Sequence, residues 1–179
     1  MVRRSATLSD DRTYRYELFR KDLSCRRRGR HPDPGRTVMF IMLNPSTADE
    51  HTDDATIRRC ITYATDWGYD NLVVCNLSPY RATNPRDLMA RGPEPAEVYG
   101  RNLAVVTGNA LKADTVVAAW GANRGAGNRA AGVTGALAAR GVDLWCLGTG
   151  RRGCPYHPLR RPRDAVLVPY RVAPGAVLA

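Results

Sequence analysis

Apolar residues in this chain fall into short unbroken runs, separated by segments with helical spacing. Thr37-Val38-Met39-Phe40-Ile41-Met42-Leu43 is one such run, the pattern of a strand covered on both faces. Leu72-Val73-Val74-Cys75, Thr115 to Trp120 and Asp143 to Leu147 repeat it. Between the first two runs, Asp53 or Asp54 can cap a helix that places Ile57, Ile61, Tyr63 and Ala64 near one face and stops at Trp67-Gly68. Asn84-Pro85 sets a capping residue before a proline at the first helical position. Glu94-Pro95 opens a longer helix with Val98, Leu103, Val105, Val106 and Leu111 as its apolar positions. An alanine-rich helix is predicted from about Gly125 to Arg140.

Two further strands flank this core. Thr13 to Phe19 alternates aromatic and charged residues, a half-buried strand pattern. It is expected to pair antiparallel with the 37–43 strand through the basic loop Cys25 to Gly35. Ala165-Val166-Leu167-Val168-Pro169 reads as an edge strand, where proline is tolerated. Strands alternating with helices predict an α/β fold, a three-layer sandwich with a mainly parallel central sheet. No repeat or linker divides the chain, so residues 1–179 are expected to form one domain with its core at about 13–170. Ligands of such sheets bind beyond the carboxyl ends of the strands. Those ends are Asn44 to Asp49, Asn76 to Thr83, Trp120 to Arg124 and Gly148 to Arg160.

Composition narrows the function classes. The 179 residues are 44% hydrophobic and carry a formal charge of +10. All but two of the 27 basic residues are arginines, the exceptions being Lys21 and Lys112. Arginine grips phosphate or carboxylate through a planar fork, so nucleic acid is the first partner to consider. A GC-rich genome would also raise Arg, Ala, Gly and Pro together. No apolar run approaches the roughly 20 residues that span a bilayer, and Met1-Val2-Arg3-Arg4-Ser5 is not followed by a signal-like apolar stretch. Membrane association is not expected. Five cysteines without a Cys-x-x-Cys pair, and His31, His51 and His157 without metal spacing, imply no metal, no cofactor and a reducing cytoplasm.

Four strand-end segments hold the unusual polar residues. In the first, Asn44 can hold a water or a base edge, Pro45 fixes the chain direction, and Ser46 can cap a turn or bind phosphate; an Asx turn is the plain alternative. Asp49 could be a general base or metal ligand, whereas Asp53 and Asp54 suit a helix start. In the second, Asn76 can read a heterocycle edge, Tyr80 can stack on a base and Arg81 can reach phosphate. In the third, Trp120 is a core residue or a ligand platform, and Arg124 stands near a helix start. In the fourth, His157 sits among Arg151, Arg152, Arg160 and Arg161 in a stretch stiffened by prolines. His157 could donate to developing negative charge while the arginines hold a nucleic-acid backbone.

The segments Leu43 to Asp49, Asp54 to Cys60, Asn76 to Thr83, Ala119-Trp120-Gly121 and His157-Pro158-Leu159 together resemble domain-of-unknown-function family 1643, which supplies no chemistry. The order of motifs also resembles the uracil-DNA glycosylase superfamily. Met42-Leu43-Asn44-Pro45-Ser46 is similar to the Gly-Ile-Asn-Pro-Gly motif of its mismatch-specific branch, with Ser46 in place of the final Gly. Val117 to Gly121 resembles its Trp-Gly strand end, and His157-Pro158-Leu159-Arg160 looks like a shortened form of its closing loop. That resemblance implies a uracil-DNA-glycosylase-like fold, Asn44 as the residue that positions water, and His157 as the group that stabilises the departing base. No Gly-Gln-Asp-Pro-Tyr motif is present, so no aspartate is carried over as base.

The leading expectation is a nucleobase glycosylase-type hydrolase acting on DNA or another nucleic acid, with DNA placed ahead of RNA, as a monomer. Asn44 and His157 are its catalytic candidates. Pro45, Ser46, Asp49, Asn76, Tyr80, Arg81 and Trp120 would bind substrate, and Arg124, Arg151, Arg152, Arg160 and Arg161 would bind the backbone. The rivals are a non-catalytic nucleic-acid-binding module, an enzyme of small nucleotides or nucleosides, and a Cys154 nucleophile served by His157.

Overall fold

A computed structural model of the chain describes residues 3–23, 35–123 and 126–171. The basic stretch Arg26 to His31, and Arg124, lie outside the described residues. The chain runs β1 (Arg3–Leu8), β2 (Arg15–Lys21), β3 (Thr37–Met42), α1 (Ala55–Asp66), β4 (Asn71–Asn76), α2 (Pro85–Arg91), α3 (Ala96–Ala110), β5 (Thr115–Ala118), α4 (Gly127–Ala138), β6 (Leu144–Cys146) and β7 (Val168–Pro169). The strands form one seven-stranded sheet in the order β1-β2-β4-β3-β5-β6-β7.

The sheet is mixed rather than mainly parallel. β4, β3, β5 and β6 pair parallel to one another. β1 with β2, β2 with β4, and β6 with β7 pair antiparallel. The reason lies in the connections, since parallel neighbours need a long crossover, usually a helix. β1 and β2 are joined by a short turn. β6 returns to β7 through two 3₁₀ turns, Arg151–Gly153 and Pro158–Arg160, with no α-helix between them.

The expected pairing of the 13–19 strand with the 37–43 strand does not form. β2 lies between β1 and β4, and β3 lies between β4 and β5. Val38 to Met42 is buried throughout, so β3 takes the middle of the parallel set, covered on both faces. β1 is an addition to the sequence reading. Its largely exposed residues lack the alternation that marks a half-buried strand. β7 is the edge strand its proline predicts.

Side chains alternate across the sheet. Met39 and Ile41 join Val73, Cys75 and Val116 beneath Leu88 of α2, Val106 of α3 and Val133 of α4. Val38, Phe40 and Met42 join Leu72, Val74 and Val117 beneath Ile57, Ile61 and Tyr63 of α1. Each fully buried Leu, Ile or Phe on these faces stabilises the fold by about 1.5–3 kcal/mol. α1 starts where Asp54 accepts from the Ile57 N–H at 2.8 Å, a cap worth about 1 kcal/mol. Beyond its end, Gly68 takes φ +84°, which lets the chain turn back into β4. Among the described residues, no helix is long and apolar enough to cross a membrane.

Candidate functional site

A cleft of about 780 Å³ opens at the carboxyl edge of the parallel strands, the position that sheets of this kind use for ligands. Of the residues singled out by sequence, Asn44, Ser46, Trp120, His157 and Arg160 line it.

Asn44 follows β3 and is fixed by the loop after β4. Its Nδ2 donates to the carbonyls of Pro45 at 2.9 Å and Ala82 at 2.8 Å. Both amide protons are thereby used, and Oδ1 is left as an acceptor for a water or a ligand N–H. The two loops are laced further. Ala82 N–H donates to the Pro45 carbonyl at 2.9 Å, and the Arg81 guanidinium donates to the carbonyls of Ser46, Thr47 and Arg12. Arg81 and Pro45 thus brace the Asn44 turn and are not among the lining residues.

His157 lies on the connection between β6 and β7. Gly121 takes φ +75°, and a Cβ added there would meet the His157 Cβ at 3.4 Å. Gly121 N–H also donates to the Pro155 carbonyl at 3.0 Å. The Trp120-Gly121 strand end therefore seats the histidine loop. The His157 Nδ1 accepts from the Leu159 N–H at 3.3 Å, so a neutral ring carries its proton on Nε2. Burial, then the charge of Arg160, pushes the His157 pKa below its usual value, against a smaller opposing pull from Asp54. His157 is thus a neutral hydrogen-bond donor.

The remaining candidates are spread around this core. Asp49 closes a turn by accepting from His51 and Thr52 N–H at 2.9 Å each, and it pairs with Arg12 at 3.4 Å. Tyr80 meets the Tyr14 ring edge-on at 6.2 Å and carries the Arg91 guanidinium 4.4 Å above its ring. Arg161 lies 5.0 Å over the Tyr156 ring. Arg152 is exposed and adopts φ 67°. Arg151 begins the same turn, and only its backbone is described. Arg124 falls outside the described residues. Among the described arginine side chains after β6, Arg160 lines the cleft. Trp120 is buried in the core cluster in a T-shaped pair with Tyr170, at 5.5 Å between centroids. Its Nε1–H has no hydrogen-bond partner among the described residues.

Two charged lining residues are not among the site candidates of the sequence. Asp54, preferred there as a helix-start residue, is that and also the carboxylate of the cleft wall. Arg15 is the other. It is 1% exposed, and its Nη1 donates to the Ala48 carbonyl at 2.9 Å. Its Nη2 donates to the Asn76 Oδ1 at 3.2 Å. Asn76 is itself buried and lies behind the wall. Because β2 runs antiparallel to β4, the start of β2 and not its end reaches the cleft. A search confined to strand ends passes over it.

Cys154 is buried and also lines the cleft. No group of three or more His, Cys, Asp or Glu arranged to hold a metal occurs among the described residues.

The chain matches the family described as "Protein of unknown function (DUF1643)" over residues 15–159. The chain belongs to this family. The DUF1643 match begins at Arg15 and ends at Leu159, so it takes in every lining residue of the cleft but Arg160. No curated protein and no solved structure matches the chain.

Proposed function

We propose that this DUF1643 protein is a nucleobase glycosylase-type hydrolase acting on DNA or another nucleic acid, with a uracil-DNA-glycosylase-like arrangement of motifs on its sheet. The observation that carries the reading is that Asn44 and His157, from loops far apart in sequence, line one cleft in complementary states. Asn44 offers an acceptor and His157 a neutral donor. Hydrolysis of an N-glycosidic bond needs both. Water is held by the Asn44 Oδ1 and its oxygen bonds to the anomeric carbon. The carbon–nitrogen bond breaks, and its electron pair leaves on the base. The Nε2–H of His157 donates a hydrogen bond to the acceptor where that charge gathers. Asp54 takes the proton released by water, which then returns to the departing base.

Exposed Leu159, at 46% of its free surface, stands at the cleft rim beside Arg160. An apolar tip beside a cation favours a polymer substrate over a free nucleoside, because it can enter a stack while the cation meets phosphate. A base in a duplex would have to leave the stack, at a cost of about a few kcal/mol offset by pocket contacts.

The test is release of free base from a panel of oligonucleotides carrying damaged and modified bases, as DNA and as RNA. Release by the wild type, lost in Asn44→Ala, is expected. Salt-sensitive binding without release, unchanged in Asn44→Ala and His157→Ala, would replace the enzyme with a binding module.

A further inference from the structure

Arg15 and Arg20 stand five residues apart on β2, and both are buried. Arg20 is paired. Its Nε donates to the Asp53 carboxylate at 2.8 Å, and its other nitrogens reach the carbonyls of Ser5, Phe19, Asp49 and Thr52. Arg15 has no carboxylate within 4.0 Å among the described residues; its two hydrogen bonds go to neutral oxygens. Its Nε is buried without a partner among the described residues. Of the five N–H groups of a guanidinium, three are left unused by these residues.

A buried cation without a counter-ion is costly unless something answers it. Burial is also what lowers the Arg15 pKa, to about 10, outweighing the distant pull of Asp54. That value leaves the group charged at neutral pH. Its neighbour deepens the imbalance. Among the described residues the Asn76 Nδ2, on the amide that accepts from Arg15, is also buried without a partner. Both orphaned nitrogens are donors. A structural salt bridge would have supplied a carboxylate, as Asp53 does for Arg20.

We infer that the Arg15 end of the cleft is an oxyanion subsite, which receives a phosphate or carboxylate group of the ligand on the guanidinium held by Asn76. The subsite does not depend on the N-glycosidic reaction. A nucleotide phosphate supplies one source of the oxyanion and a carboxylate the other. Either would provide the missing counter-charge and occupy the free N–H groups with charge-assisted hydrogen bonds.

The experiment follows the side-chain Nε–H signal of Arg15 in nitrogen-15-labelled wild-type protein, assigned through bonds from its own backbone amide. The probes are inorganic phosphate, acetate, a nucleoside 5′-monophosphate and the matching nucleoside. Phosphate and the monophosphate are expected to shift this signal saturably and to raise Tm, and the nucleoside to leave the signal in place. A shift with acetate alone would assign the oxyanion to a carboxylate. Arg15→Met should fold with an equal or higher Tm and lose the anion-dependent rise. No shift with any oxyanion overturns the inference, as does an anion-dependent rise that persists in Arg15→Met. Should Arg15→Met not fold, the wild-type signal decides alone. Base release is a separate readout, so either result can fail without the other.

Discussion

The Nη2 of Arg15 donates to the Oδ1 of Asn76 at 3.2 Å, joining the start of β2 to the end of β4 behind the cleft wall. The bond orients a buried guanidinium without neutralising it. The Asn76 carbonyl and its neighbour at Leu77 accept from Asn102 of α3, so the end of β4 is pinned from the helix side as well.

Arg20 is predicted to be structural. Replacing it with Met should lower stability by about 3 kcal/mol, the cost of leaving a buried carboxylate without its partner, because Arg4 at 3.3 Å compensates Asp53 only in part. Urea denaturation measures it. A loss below about 1 kcal/mol would place the Arg20–Asp53 pair with ordinary surface ion pairs.

Asp54 separates capping from chemistry. Asparagine caps a helix about as well as aspartate, so Asp54→Asn should keep the thermal midpoint within a few degrees while base release falls. Asp54→Ala should lose both, with a stability cost of about 1 kcal/mol. Equal base release by wild type and Asp54→Asn would remove the carboxylate from the proton path.

Gly121→Ala tests how the strand end seats the histidine. The residue sits at φ +75°, where a side chain costs about 1–2 kcal/mol. The new Cβ would also stand 3.4 Å from the His157 Cβ. Both stability and base release should drop, and the His157 ring signals should shift in NMR spectra. An unchanged His157 environment would detach Gly121 from the site.

His157 gives the protein an acid-sensitive term. Its folded pKa lies below its unfolded value, chiefly through burial. The folded state therefore binds fewer protons than the unfolded one as pH falls from about 6.5, and stability is lost over that fall. Relative to His157→Gln, the wild type should lose stability between about pH 7 and pH 5. Chemical denaturation at stepped pH reads the difference. Parallel profiles would mean that His157 titrates alike in both states.

Much of the scaffold is legible in the chain itself. Continuous apolar runs mark β3 and β4, Asp54 and Gly68 bracket α1, and Asn84-Pro85 opens α2 with the Asn84 side chain accepting from the Arg86 N–H at 3.0 Å. What periodicity does not carry is strand order. β2 has the antiparallel direction expected of it but lies beside β4 rather than β3, and that direction brings Arg15 to the cleft. Asn44 and His157, which line the cleft, each belong to a strand-end segment with a distinctive motif. Asn76 and Tyr80 occupy an equally distinctive motif, yet one is buried behind the wall and the other packs with Arg91. Polar residues at a strand end can turn inward to satisfy backbone as readily as outward to a ligand.

The central claim is that Asn44 and His157 act on one bond within one cleft. Single-turnover base release by the wild type, Asn44→Ala, His157→Gln and the double variant tests it most directly. Each single change is expected to slow release by about 100-fold, the scale of losing one positioned polar group. The double variant should fall by less than the product of the two, because residues acting as a unit are not additive. Release that survives both substitutions at the wild-type rate would contradict the account.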